Sequence, residues 1–521
     1  MRGRFRRLAA GLLALGVAAG AAGAPARAAS VLRGRLNADI LSTDPGTKRD
    51  ENTDAVLLHV VEGLVAFRED ASVGPMLAQS WDVSRDGLTY TFHLRRGVRF
   101  HNGAPMTAAE VVWSLDRYLD PKTHWRCLSE FDGHGQTRIV KVQALDPATV
   151  AIQLDKPSIL FLKTLARADC GETAILSPAS VSAKGAWIRP IGTGPFMFTT
   201  WRPNEYVELT RYRGYAALPG PRDGNAGGKH ALVDKVRFLV IPDGSAAEGA
   251  LLSGAIDVLD GVSPSNLADL RASRGVRLDA HSTMDIYALI FQTRDPVMRD
   301  ARLRRALALA IDDIGLTRVV TQKTAQANSA LVPTSSAFHV GVQAQVVRPD
   351  LAKARALVAA SGYRGQPITL ITNRRYPQMF DSAVLIQAMA KTIGVDIRIQ
   401  ALDWAAELDR YNHGAYQAMT FAYSARLDPS QNYGAVIGAK TSQPNKVWDD
   451  PFAKALLKAS TATADVAQRQ ALFDQLHQRM LAQAPLVVLY NPSHVAAVRD
   501  GVVGFRTWST VQQRLWDVSV R

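Results

Sequence analysis

The stretch from Gly74 to Asp120 restricts the possible folds more than any other part of the chain. Residues 80–83 form a short apolar–polar strand, Ser84-Arg85-Asp86-Gly87 is a turn closed by Asp-Gly, and 88–94 alternates as the return strand of a β-hairpin. Gly97 and then His101-Asn102-Gly103 supply a second turn. Thr107 stands at a helix N-cap with Glu110 three residues later, ahead of an apolar face of Val111, Val112, Leu115 and Tyr118. Strand, turn, strand, turn and capped helix make a scaffold, and a scaffold fixes no function.

The rest of the chain carries the same mixture of periods. The alternation beginning at Val31 predicts an edge strand running into the Thr43-Asp44-Pro45-Gly46 turn, and Val56 to Leu64 has helical spacing. Residues 139–142 and 149–154 read as paired strands around Asp146-Pro147. In Ile191-Gly192-Thr193-Gly194-Pro195-Phe196 two glycines and a proline force an irregular turn, which lacks the Lys-Ser/Thr ending of a phosphate loop. Strands are expected over 234–242 and 287–293, helices over 244–252 and from Asp300 to Asp312. A further helix runs over 351–361, with Gly362 as its C-cap. Residues 368–372, 382–393 and 395–401 form a strand–helix–strand unit of the α/β kind.

Arg2, Arg4, Arg6 and Arg7 precede an apolar run from Leu8 to Ala24 that ends at Ala26-Arg27-Ala28, the pattern of a secretory signal peptide cleaved after Ala28. The run is shorter than the roughly 20 residues a bilayer requires, and no cysteine follows it to carry a lipid. Arg6-Arg7 leaves both the general secretory and the twin-arginine route open. No second apolar stretch is long enough to span a membrane, so 521 residues at 47% hydrophobic composition read as an exported globular protein of several lobes. The formal charge of +14 includes the leader arginines, and the remaining Lys and Arg are scattered, which argues against nucleic acid. Cys127 and Cys170 are either a disulfide or two separate buried thiols. The histidines form no metal-binding helix pair, and His93 and His101 beside turns read as surface residues. No nucleophile elbow or other catalytic grouping is present.

The wording of 75–117, with Ser80-Trp81, Asp86-Gly87-Leu88-Thr89-Tyr90-Thr91-Phe92 and Thr107-Ala108, closely resembles the hallmark segment of the extracellular solute-binding proteins of family 5, the dipeptide, oligopeptide and nickel receptors of bacterial ABC importers. Gly192-Thr193-Gly194-Pro195-Phe196, Ser253-Gly254-Ala255-Ile256-Asp257-Val258 and Trp448-Asp449-Asp450-Pro451 are similar to further elements of that family, so the resemblance covers nearly all of the mature chain. It implies an α/β, two-lobed periplasmic binding protein of class II type with an extra N-terminal subdomain and a ligand cleft between the lobes. Residues 1–28 would be the signal peptide, 29–282 lobe I with the subdomain at about 60–188, 283–490 lobe II and 491–521 the return to lobe I. Hinges are expected near His281–Met284 and Asn491–Ser493.

The resemblance further implies a periplasmic receptor that hands a small molecule or short peptide to an inner-membrane ABC permease. It would act as a monomer, without cofactor, metal or nucleic acid. Ligand-binding residues carried over are Asp260, Gly261, Met284, Tyr376, Trp404, Tyr423, Arg426 and Asn491. One departure stands out. Where peptide-binding relatives place an amine-binding Asp, the shorter loop Phe421–Pro429 offers Ala425 or Arg426, with Asp428 near enough to stand in. An arginine there, joined by Arg374 and Arg375, favours a carboxylate-bearing solute such as an opine-like compound or a modified peptide. The alternatives are an exported hydrolase and a binding protein that serves a membrane sensor.

Overall fold

The strand Val31–Leu36 alternates half-buried and buried residues as its sequence requires, yet it is not an edge. It lies in the middle of a seven-stranded sheet, parallel to both Lys235–Val240 and Val258–Asp260. Alternation reports which face of a strand meets the core; it carries no information on whether the two hydrogen-bonding edges are occupied. The computed structural model describes residues 29–134, 137–262 and 266–521, and the predicted leader 1–28 lies outside them. From one edge to the other the sheet runs Val276–Ser282, Ser493–Arg499, Val258–Asp260, Val31–Leu36, Lys235–Val240, Tyr206–Arg211 and Phe196–Arg202.

The hairpin read from the sequence forms between Ala78–Val83 and Thr89–Leu94, with the Gly87 N–H donating to Ser84 O. Thr149–Leu154 and Ile139–Asp146 extend it to a four-stranded antiparallel sheet. Helix Ala108–Leu119 packs on it and carries both halves of the predicted capping box. Its buried stripe is Val111, Ser114, Leu115 and Tyr118. Val112 is only half-buried, while Ser114 turns inward because its hydroxyl accepts the Leu176 N–H. Cys127 and Cys170 are joined as a disulfide beneath Trp125, whose indole donates to Cys170 O.

Two local expectations are corrected. The helix expected over Val56–Leu64 runs instead from Glu51 to Leu57, capped by Asp50. Residues 55–67 are buried on every side, so their apolar spacing marks depth rather than a helical face. Helix Leu351–Ala360 is closed by Ser361 in extended conformation, not by Gly362. Gly192 and Gly194 are required for close approach: a Cβ on either would meet Val60 O at 2.3 Å or His59 O at 2.6 Å. Sequence and structure agree that this segment is irregular, and the structure adds that the two glycines lie against backbone.

A six-stranded sheet is built wholly from residues 286–491, in the order Gln326–Ala327, Leu486–Asn491, Ile286–Phe291, Ala418–Tyr423, Ile368–Asn373, Ile397–Leu402. Ile368–Asn373 and Ile397–Leu402 are parallel and linked by helix Pro377–Lys391, the predicted strand–helix–strand unit. The chain passes between the two large sheets at 283–285 and at Pro492.

Candidate functional site

Ile368–Asn373 and Ala418–Tyr423 run parallel, so the loops that follow them, 374–376 and 424–428, emerge side by side. This is the end of an α/β sheet where ligands are bound. Ile286–Phe291 is antiparallel, with Ile286 opposite Tyr423, which brings Asp285 to the same end. There Asp285 accepts the Ala425 N–H at 2.8 Å and the Thr283 hydroxyl at 2.8 Å.

An aromatic chain lines this end. Tyr376 meets Trp404 edge-on at 5.1 Å, Trp404 stacks with Phe421 at 6.0 Å, and Tyr411 lies on Phe421 at 4.2 Å. Trp404 and Tyr376 are half-buried, whereas Tyr423 is enclosed behind Phe421. Asn373, which sequence reasoning missed, anchors the group: its side chain accepts the Tyr376 N–H and donates to Glu407 at 2.8 Å. Burial raises the Glu407 carboxyl to about 7 against that bond.

Three arginines stand on these loops. Arg374 and Arg375 are exposed over the rings of Phe380 and Tyr376, and Arg426 is half-buried with its guanidinium on Ser424 O at 3.0 Å. Among the described residues none of the three has a carboxylate within ion-pair distance. Asp428 does not stand in for the missing amine ligand. It is 0% exposed, accepts Arg469 through two bonds of 2.7 and 3.1 Å and Lys163 at 2.7 Å, and caps helix Pro429–Val436 through the Ser430 N–H. A buried carboxylate with every lone pair engaged cannot receive a ligand, and these cations hold it well below the usual carboxylate range against burial.

An acidic group gathers beside the crossing. Asp260 and His494 are joined at 2.7 Å, Gly261 turns the chain at φ +74°, and Glu51 at the start of its helix lies in the field of His494, Asp260 and Asp285. Burial and the neighbouring acids raise Glu51; burial disfavours a charged His494, but Asp260, Glu51 and Asp285 outweigh it and raise its pKa. Glu51 and Asp285 carry no obvious sequence signal, because only the three-dimensional meeting of residues 51, 260, 285 and 494 gives them meaning.

Met284 and Asn491 lie under the crossing rather than on its surface. Met284 donates its N–H to Ser509 O, and the Asn491 amide bonds Asn328, Thr334 and Asp285 O. His101, read as a surface residue, is tucked against Gly194 O, and burial lowers its pKa to about 4.

The sequence profile of the bacterial extracellular solute-binding proteins, family 5, matches residues 72–445. The chain belongs to that family. It is 28% identical over 517 residues to the glutathione-binding protein GsiB of Escherichia coli O1:K1 / APEC, covering 95% of both chains. Among solved structures, HbpA2 from Haemophilus parasuis superimposes with a TM-score of 0.81 at 24% identity, over 94% of this chain and 100% of the other. AgaA from A.tumefacien R10, in complex with agropinic acid, gives 0.66 at 26% identity over 94% and 99%. The two-lobed α/β periplasmic-binding-protein fold is therefore that of family 5, and the protein is a solute-binding protein whose relatives are receptors of ABC importers.

Proposed function

We propose that this protein is a monomeric periplasmic receptor that captures a peptide-like or opine-like solute bearing carboxylates and a cationic group, and delivers it to an ABC permease. The observation that carries the ligand class is the set of Arg374, Arg375 and Arg426, which have no carboxylate partner among the described residues, together with the acids Glu51, Asp260 and Asp285 gathered beside the crossing. A guanidinium grips a carboxylate through two parallel bonds, and the acids suit an ammonium. Trp404 and Tyr376 supply flat apolar area. Relatives that bind glutathione or agropinic acid support a polyfunctional, carboxylate-rich ligand.

Residues 29–282 with the subdomain at about 60–188, and 283–490, would move as two bodies about the crossings, with 491–521 returning to the first. Ligand favours closure only by contacts with both. Asp260, Gly261, Tyr376, Trp404 and Arg426 are assigned direct contact. Met284, Tyr423 and Asn491 are assigned the floor that positions them.

Mass spectrometry of solute co-purified with the native protein identifies the class, and calorimetry with that solute on Arg426→Ala tests the assignment. Loss of a charge-assisted bond in a closed cleft is expected to cost about 2–5 kcal/mol. A ligand without a carboxylate, or affinity unchanged in both Arg426→Ala and Arg375→Ala, overturns it.

A further inference from the structure

At the opposite end of the six-stranded sheet, about 15–20 Å along the strands from the cleft, lies a second pocket of about 620 Å³. Its walls include Gln292, Gln417, Arg294, Arg410, His413 and Lys440. That volume lies within the range of small-ligand sites.

The charges in this pocket are unevenly committed. Its carboxylate, Asp295, is engaged by the Val297 and Met298 N–H groups at 2.8 and 2.9 Å and by the Gln417 amide at 3.2 Å. Gln292 gives its oxygen to Lys440 and its amide to Gly414 O. The cations are not matched in this way. Lys440 is 3% exposed, and its ammonium reaches only two neutral acceptors, Gln292 Oε1 at 2.7 Å and Thr293 Oγ1 at 2.8 Å. An ammonium has three donors, so one remains without a partner among the described residues. Among the described residues Arg410 has no ion pair, and Arg294 holds Asp449 only at 3.7 Å.

A solvated basic face would explain Arg410 and His413, which are exposed. It does not explain Lys440, because an ammonium enclosed without a carboxylate is costly to retain. We infer that this pocket is a second binding site, separate from the cleft, for a small solute with clustered anionic oxygens, either a phosphate or a polycarboxylate. The anion would accept the third Lys440 N–H while Arg410 and Arg294 close over its outer oxygens. Burial lowers Lys440 to about 7, with Arg294 and Arg304 adding to the effect and Asp449 opposing it. An anion in contact would restore the proton.

The test is calorimetry of inorganic phosphate and of citrate on the full mature chain, the Lys440→Met, Arg410→Ala and Arg426→Ala variants included. At pH 8, saturable binding of at least one anion is expected, with net proton uptake revealed by comparing buffers of different ionisation enthalpy. Affinity should fall at least tenfold in Lys440→Met and in Arg410→Ala and stay unchanged in Arg426→Ala. If Lys440→Met does not fold, exposed Arg410→Ala decides the matter with the proton uptake of the wild type. Absence of binding by both anions overturns the inference. So does binding that survives in Arg410→Ala, or that is lost in Arg426→Ala, which would return the anion to the cleft.

Discussion

Lys163 stands on the short helix Phe161–Leu165 beside the four-stranded sheet, and Asp428 on the loop leaving the six-stranded one. Their 2.7 Å contact therefore ties together two separately built parts of the molecule. Lys163→Gln removes that bond and a second to Leu427 O at 3.1 Å. Asp428 keeps its paired contact with Arg469, so its charge is not abandoned, and the loss should be that of one charge-assisted hydrogen bond in a buried setting, about 1.5–3 kcal/mol. Arg469→Met, which also vacates the space between Phe338 and Phe473, should cost more, about 3–5 kcal/mol. Asp428 has its pKa depressed in the folded state. Its stabilisation is thus fully present above the unfolded value of about 3.9 and is lost only as pH falls through the lower folded value. Urea denaturation of wild type and Lys163→Gln should give a constant gap from pH 8 to 5 that narrows below about pH 4. The pair is nearly shielded from solvent, at 19% and 0% side-chain exposure, so 0.5 M salt should leave most of the gap. A difference under about 0.5 kcal/mol, or one abolished by salt, would refute the reasoning.

Glu407 presents the opposite sign. Its folded pKa is raised by burial to about 7, so its contribution is lost as pH rises from about 4.3 to 7. Glu407→Gln should be more stable than wild type by about 1–3 kcal/mol at pH 8, with the gap closing toward pH 5 in melting curves; a pH-independent difference counts against this. Gly194→Ala pushes a methyl into the His59 and Val60 carbonyl region and should destabilise by at least about 1–3 kcal/mol, whereas Gly103→Ala, which meets nothing within 4 Å, should show only the smaller cost of its positive φ. Reduction of Cys127–Cys170 releases a loop with a sequence separation of 43, for which about 2–4 kcal/mol is expected; an unchanged denaturation midpoint would contradict it.

The hairpin and capped helix after Gly74 were legible because turn chemistry, alternation and capping are local, and each named its own residues. The strand–helix–strand unit was legible for the same reason. What failed was relational. Val31–Leu36 has the pattern of any one-sided strand, and only partners more than two hundred residues away make it central. At the site, the loops with Arg374, Arg375 and Arg426 came from order along the chain and from the resemblance. The committed state of Asp428 could not be read, because Lys163 and Arg469 lie on other elements. The acidic group was half-read: Asp260 was named, but Glu51 and Asp285 join it only through the fold.

The position of Ser493–Arg499 between Val276–Ser282 and Val258–Asp260 sets an order of assembly. A chain emerging from its N-terminus delivers every strand of the six-stranded sheet before residue 492. The seven-stranded sheet, begun at Val31, still lacks the strand that joins Val276–Ser282 to the rest, and the edge of Val258–Asp260 stays open. The earlier-synthesised part is then the later to finish, because its last pairing joins strands more than two hundred residues apart and long-range pairing is slow. Removing the last residues would therefore damage the seven-stranded sheet, begun first, rather than the six-stranded sheet that lies nearer to them along the chain.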